Sequence, residues 1–199
     1  LAIQRALSAK TKWVPMAGAQ FQFLTCPIYE ALMHGTRGGG KTDTLLMSFA
    51  QHVGKGYGQH WRGILFRQTY PQLADVVAKS RRWFSQFFPA AKFNKSDYSW
   101  EFPDGEMLYF RHGLNEDDYW NYHGHEYPWI GFEELTNWRD LSFYEAMHST
   151  CRSSYPGMPR MVRATCNPFG KGHGSVKERF QLGRDGTPSG QVIREDGQK

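Results

Sequence analysis

Cysteine is scarce in this chain: Cys26, Cys151 and Cys166 are three of 199 residues, and none stands in a C-x-x-C pair. Three thiols cannot all pair. That excludes a disulfide-stapled scaffold and points to reduced thiols in an intracellular protein. Long hydrophobic runs are missing as well. A membrane span needs about 18 apolar residues, whereas the longest run here, around Thr44–Ala50, already contains Ser48. No basic-then-apolar signal segment opens the chain. No internal repeat and no low-complexity tract is present, which excludes a solenoid or a disordered array.

What the chain does have is aromatic bulk, with 7 Trp, 10 Tyr and 14 Phe. Most of these are expected in a core and some at pockets or interfaces. Hydrophobic residues make up 40% of the sequence, enough for one globular domain at this length. The net charge is +5 and the pI about 9.1, a mild basic excess compatible with a nucleic-acid partner. The sequence starts at Leu1 and closes on a polar, glycine-rich stretch from 183 to 199. We therefore expect a piece of a longer protein, with a domain over 1–180 and a linker or the start of a further domain over 181–199.

Periodicity predicts strands alternating with helices. Ala31-Leu32-Met33, Ile64-Leu65-Phe66, Trp129–Phe132 and Met161–Thr165 are strand candidates. Helices are expected from Lys41, from Pro71 to Pro89, over about 141–149 and over 176–180. A hairpin is expected from 98–102 and 106–111, turning through Pro103-Asp104-Gly105. Residues 1–20 look mixed, ending in a Pro15–Gly18 loop, and 115–128 reads as a polar loop. Alternation of this kind argues for an α/β domain with a mainly parallel sheet.

The most informative stretch is Gly35-Thr36-Arg37-Gly38-Gly39-Gly40-Lys41-Thr42, a G-x-x-x-x-G-K-T pattern between an apolar strand and an amphipathic helix. Glycines let the backbone wrap so that successive N–H groups face phosphate oxygens, and the helix N-terminus adds its positive end. Lys41 would reach the β- and γ-phosphates and the Thr42 hydroxyl would ligate Mg²⁺. Hydrolysis also needs a carboxylate on the metal side and a group that orients water. The strand ending Phe132-Glu133-Glu134 is the candidate source, Glu133 facing the metal through water and Glu134 polarising the attacking water. Two glutamates could otherwise simply start a helix, where the dipole favours them.

Taken together, these segments resemble the ATPase domain of tailed-bacteriophage large terminases, the DNA-packaging motor. Gly18-Ala19-Gln20 with Phe23-Leu24 resembles the family's adenine-binding motif, and Gly35–Thr42 with Arg37 its Walker A. Ile64–Leu73, with Arg67 and Tyr70-Pro71, resembles the stretch between the Walker motifs. Gly124–Tyr127 leading into Ile130–Thr136 resembles Walker B, and Thr165–Pro168 with the glycine loop after it resembles the coupling motif. The likeness implies a three-layer P-loop NTPase of the additional-strand, catalytic-glutamate type, with helices on both faces of the sheet and an inserted β-hairpin. It further implies that Gln20 reads adenine, that Arg37 neutralises charge at the γ-phosphate, and that Thr165 and Asn167 sense that phosphate. An exposed loop residue, a surface arginine and an Asn-Pro turn are the plain alternatives for Gln20, Arg37 and Asn167.

ATP with Mg²⁺, double-stranded DNA, a portal protein and a small terminase subunit are the implied ligands and partners. The implied assembly is a homo-oligomeric ring, expected to be a pentamer, in the host cytoplasm and transiently on the procapsid. A neighbouring subunit's arginine would complete each site. Where the family can place it, this chain has His123, which leaves Arg139 and Arg152 as substitutes. The family's C-terminal nuclease has no room after Phe180. A P-loop kinase and a non-catalytic, nucleotide-switched DNA-binding module remain as alternatives. His123-Gly124-His125 lacks further metal ligands, and Lys79, Arg81 and Arg82 read equally as DNA contacts or as a solvated helix face.

Overall fold

The computed structural model describes residues 13–183. The expectations for 1–12 and for 184–199, the greater part of the expected linker, lie outside the described residues. Seven strands form one sheet: β1 (Glu30–His34), β2 (Arg62–Arg67), β3 (Lys92–Asn94), β4 (Ser99–Glu101), β5 (Met107–His112), β6 (Trp129–Phe132) and β7 (Met161–Cys166). Their spatial order is β1-β7-β6-β2-β5-β4-β3. The first five in that order run parallel, and β4 and β3 close the far edge antiparallel. Among the described residues five α-helices accompany them: α1 (Ala19–Thr25), α2 (Lys41–Ala50), α3 (Leu73–Phe87), α4 (Ser142–Met147) and α5 (His173–Arg179).

Strand alternation assigns the faces. Met33, Leu65 and Trp129 point to one side, where α1, α2 and α3 bury Phe23, Leu45, Phe49, Val76 and Phe84. Ile64, Phe66, Ile130, Phe132, Val162 and Ala164 point to the other, against Phe143, Tyr144 and Met147 of α4 and Val176 of α5. The result is helices, sheet, helices: three layers with two apolar cores, as strands buried on both faces require. Phe49 stacks on Trp61 and meets Trp129 edge-on, both at 5.5 Å between centroids. Gly63 makes room for it, since a Cβ there would lie 2.6 Å from the Phe49 ring. The Trp129 indole donates to Ser48 Oγ at 3.2 Å, so that core is polar only where it is satisfied.

Several boundaries follow local chemistry. Asp43 sits in the first turn of α2, where the dipole favours an acid. A capping box formed by Thr69 and Gln72, with Pro71 between them, opens the 3₁₀ turn that leads into α3, and Pro89 lies just beyond its end. The expected hairpin exists, but its second strand, β5, is also a parallel neighbour of β2 and so a full member of the main sheet. Three features were not anticipated. Residues 19–25, to which the sequence assigned no element, form α1, β3 extends the hairpin, and residues 181–183 follow α5 with Leu182 packed on the core. Among the described residues no helix is long and apolar enough to cross a membrane.

Candidate active site

The candidate residues gather at the carboxyl ends of the parallel strands, where open α/β sheets place their binding sites. After β1 the chain turns through the glycine loop. Gly35 N donates to Cys166 O at 3.2 Å, tying the loop to the end of β7. Gly38 and Gly40 have φ values of 88° and 67°, left-handed conformations that an L side chain rarely adopts, and Gly40 is the N-cap of α2. Lys41 folds back over this loop and donates to Gly35 O at 2.9 Å, Thr36 O at 2.7 Å and Asn167 Oδ1 at 3.1 Å. Burial pulls its ammonium below the ordinary lysine value, against the Cys166 thiol and the acids Glu134 and Glu133, which push it up.

Beside it the Thr42 hydroxyl donates to Glu133 Oε1. Glu133 directly follows β6, and its backbone N–H is held by Phe66 O at 3.0 Å. Desolvation raises its carboxyl above the usual range, while Arg67, the Thr42 hydroxyl and Lys79 work in the opposite direction. Arg67, buried at the end of β2, lies 2.9 Å from Glu134 Oε2 and 3.6 Å from Glu133 Oε2. Its Nε and Nη1 have no aligned hydrogen-bond acceptor, so its attraction to both acids is coulombic rather than directional.

Glu134 itself has φ 56° and ψ 53°, a left-handed conformation in a non-glycine residue. Its Oε2 accepts from Asn137 Nδ2 at 3.0 Å and its backbone N–H donates to buried Thr165 Oγ1 at 3.4 Å. Asn167, the residue after β7, bridges the two walls: Oδ1 meets Lys41 and Nδ2 approaches Glu134 Oε1 at 3.5 Å. One cleft thus brings together Lys41, Thr42, Glu133, Glu134, Thr165 and Asn167. Arg67, Asn137 and Lys79 join them, residues to which the sequence attached no role in this site. Only the likeness of the Ile64–Leu73 stretch hinted at Arg67.

Other candidates are placed differently. Arg37 is exposed, its guanidinium 5.7 Å from the centre of the Phe169 ring. Gln20 is buried and both ends of its amide are engaged within the chain: Oε1 accepts from Met16 N at 2.8 Å and Nε2 donates to Gly39 O at 3.0 Å. The amide is thus a strut under the phosphate loop. Gln20→Ala, which leaves the Gly39 carbonyl without that donor, is expected to cost ~1–2 kcal/mol. That corresponds to a melting point lower by about 2–8 °C in thermal unfolding; a shift below about 1 °C would show that the strut carries no weight. Arg139 and Arg152 are exposed, Arg152 donating to Gly124 O at 3.2 Å, and His123 pairs with the Tyr119 hydroxyl. Arg81 and Arg82 are exposed and lie over Phe93 and Trp83. All three cysteines are free.

The described residues hold no group of three or more His, Cys, Asp or Glu fit to bind a metal alone. One hydroxyl and one carboxylate is the donor set that suits Mg²⁺ arriving with phosphates, since that ion is usually held by few protein oxygens plus the substrate.

No protein-family model matches the chain, and no curated protein does. Solved structures do. The large terminase of a thermophilic bacteriophage is 17% identical at a TM-score of 0.63, over 78% of this chain and 40% of its own. That protein has also been solved with ATP-gamma-S. The large-terminase ATPase domain of Thermus phage P74-26 is 14% identical at 0.55, covering 88% of this chain and 73% of that one. The N-terminal domain of the bacteriophage phi29 DNA-packaging ATPase is 17% identical at 0.56, covering 83% and 86%. The chain spans about two fifths of the length of the first of these. Strand order agrees with the expected class, β7 lying between the phosphate-loop strand β1 and the acid-bearing strand β6. The chain has the P-loop fold of the ATPase domains of phage large terminases.

Proposed function

We propose that the chain is an ATP-hydrolysing motor domain that drives double-stranded DNA into a viral procapsid. The observation that carries the reading is the cleft itself, in which the Lys41–Asn167 and Arg67–Glu134 contacts face each other across the end of β7. Lys41 and the loop amides bind the triphosphate. Thr42 and Glu133 hold Mg²⁺, which would offset phosphate charge. Glu134 orients the attacking water and Arg37 leaves Phe169 to meet charge at the γ-phosphate. Arg67 holds both acids in place, and Asn167 with Thr165 passes the state of the phosphate to α5. Gln20 would face adenine only by releasing one of its present partners. Arg139 or Arg152 is offered to a neighbour in a homo-oligomeric ring docked on a portal, with a small terminase subunit delivering DNA. DNA is gripped through its backbone, so binding weakens steeply with salt.

The test uses ATP-gamma-S binding and DNA-stimulated ATP turnover. Lys41→Ala removes a charge-assisted contact and is expected to weaken analogue binding about 100-fold, ~2.7 kcal/mol. Unchanged affinity would refute the phosphate cradle. Turnover that double-stranded DNA does not raise, with phosphate passed to an acceptor instead, would favour a kinase.

A further inference from the structure

Lys79 joins the cleft but has no role in the function proposed above, and its Nζ lies 3.3 Å from Thr42 Oγ1. It reaches there from the middle of α3, the helix that packs beside α2 and over β5. The Thr42 hydroxyl already donates to Glu133, so it can only accept from the ammonium. The three groups form a chain from Lys79 through Thr42 to Glu133. The ammonium has a second partner on its own helix, Asp75 Oδ2 at 3.1 Å, one turn back and well exposed.

A cation bound directly to the Thr42 hydroxyl sits about 2.1 Å away, which brings it within roughly 5 Å of this ammonium. Two positive charges at that range repel, most strongly where burial lowers the effective dielectric. Lys41 cannot play the same part, because its ammonium is spent on the loop carbonyls and Asn167. Lys79, by contrast, is half-exposed and has somewhere to go.

We propose that Lys79 is a built-in stand-in cation for the metal position. Before loading it keeps Thr42 and Glu133 compensated and aligned; on loading it withdraws to Asp75, so the chain's own ammonium competes with Mg²⁺. This rests on the nucleotide reading above. It makes Lys79 a positioning residue that sets how much Mg²⁺ the site demands, and links loading to α3.

The test is calorimetric titration of ATP-gamma-S into the protein at stepped free Mg²⁺, with an EDTA arm that measures affinity without metal. Lys79→Met keeps the helix propensity and the stem but removes the competitor. The expected result is an Mg²⁺ half-saturation lower by about three- to tenfold, with the metal-free affinity moved far less. Asp75→Asn takes away the outward partner and should raise the half-saturation about twofold. Lys79→Arg, which keeps the charge, should restore a value near wild type. A half-saturation that stays put or rises in Lys79→Met overturns the proposal while leaving the nucleotide reading intact. Wild-type protein that binds no analogue with or without Mg²⁺ brings down both.

Discussion

Glu134→Gln is expected to lower the rate of ATP hydrolysis by about 10²–10⁴-fold, the usual weight of a well-placed group that orients or deprotonates the nucleophile. Affinity for ATP-gamma-S should stay within about threefold of wild type, because Glu134 stands across the cleft from the loop that takes the phosphates. The substitution keeps the Asn137 contact possible and removes the charge that Arg67 faces at 2.9 Å. Single-turnover phosphate release separates the two effects. A rate within about threefold of wild type would move the water-orienting role elsewhere, and a lost affinity would mean that Glu134 shapes the cradle instead. Glu133→Gln should behave differently, changing the Mg²⁺ demand before the rate, since its carboxylate faces Thr42.

Gly172→Ala is expected to be among the most damaging single-methyl changes in the domain. The backbone there is ordinary, with φ −95°, so conformation is not the reason for glycine. Space is: a Cβ would lie 1.8 Å from the Trp138 carbonyl oxygen. Gly170 is also pressed, its Cβ position 2.3 Å from Thr136 O. The loop that follows Asn167 is thereby seated against the turn that follows Glu134, with Gly172 N donating to Thr136 O at 2.9 Å. Neither backbone can yield without unseating the other. Overpacking against rigid atoms costs about 3 kcal/mol, a melting point lower by roughly 6–12 °C for a domain of this size. Hydrolysis should fall with it, because the displaced turn carries Glu134. A variant that melts within about 2 °C of wild type would show that the two loops are not seated as described.

Much of this was legible in the sequence, and the limits have physical causes. The glycine loop was readable because its pattern is local: eight consecutive residues, Gly35–Thr42, between a strand and a helix. The acid pair was readable because an apolar strand points at it. Residues 19–25 were not recognisable as a helix, since so short a segment buries only Gln20 and Phe23 and has no capping side chain. β3 is three residues with a half-buried Phe93 between exposed neighbours, too little alternation to register. Arg67 and Lys79 were opaque for another reason. A buried arginine beside two acids looks, in one dimension, like any charge at a strand end, and Lys79 belonged to a basic run that read equally as a solvated face. Their partners lie 66 and 37 positions away, and no local pattern encodes such a distance. Gln20 shows the converse: the likeness singled it out, but not that its amide would already be engaged.

The placement of β7 has one more consequence. Adjacent strands lie about 4.8 Å apart, and this strand has the glycine loop on one flank and the paired acids on the other. In the motor reading proposed above, a lost phosphate would require no long relay of side chains to be noticed. A single carboxamide, Asn167, already touches both banks, so in that reading the message would have the width of one amino acid to cross before it reaches a helix.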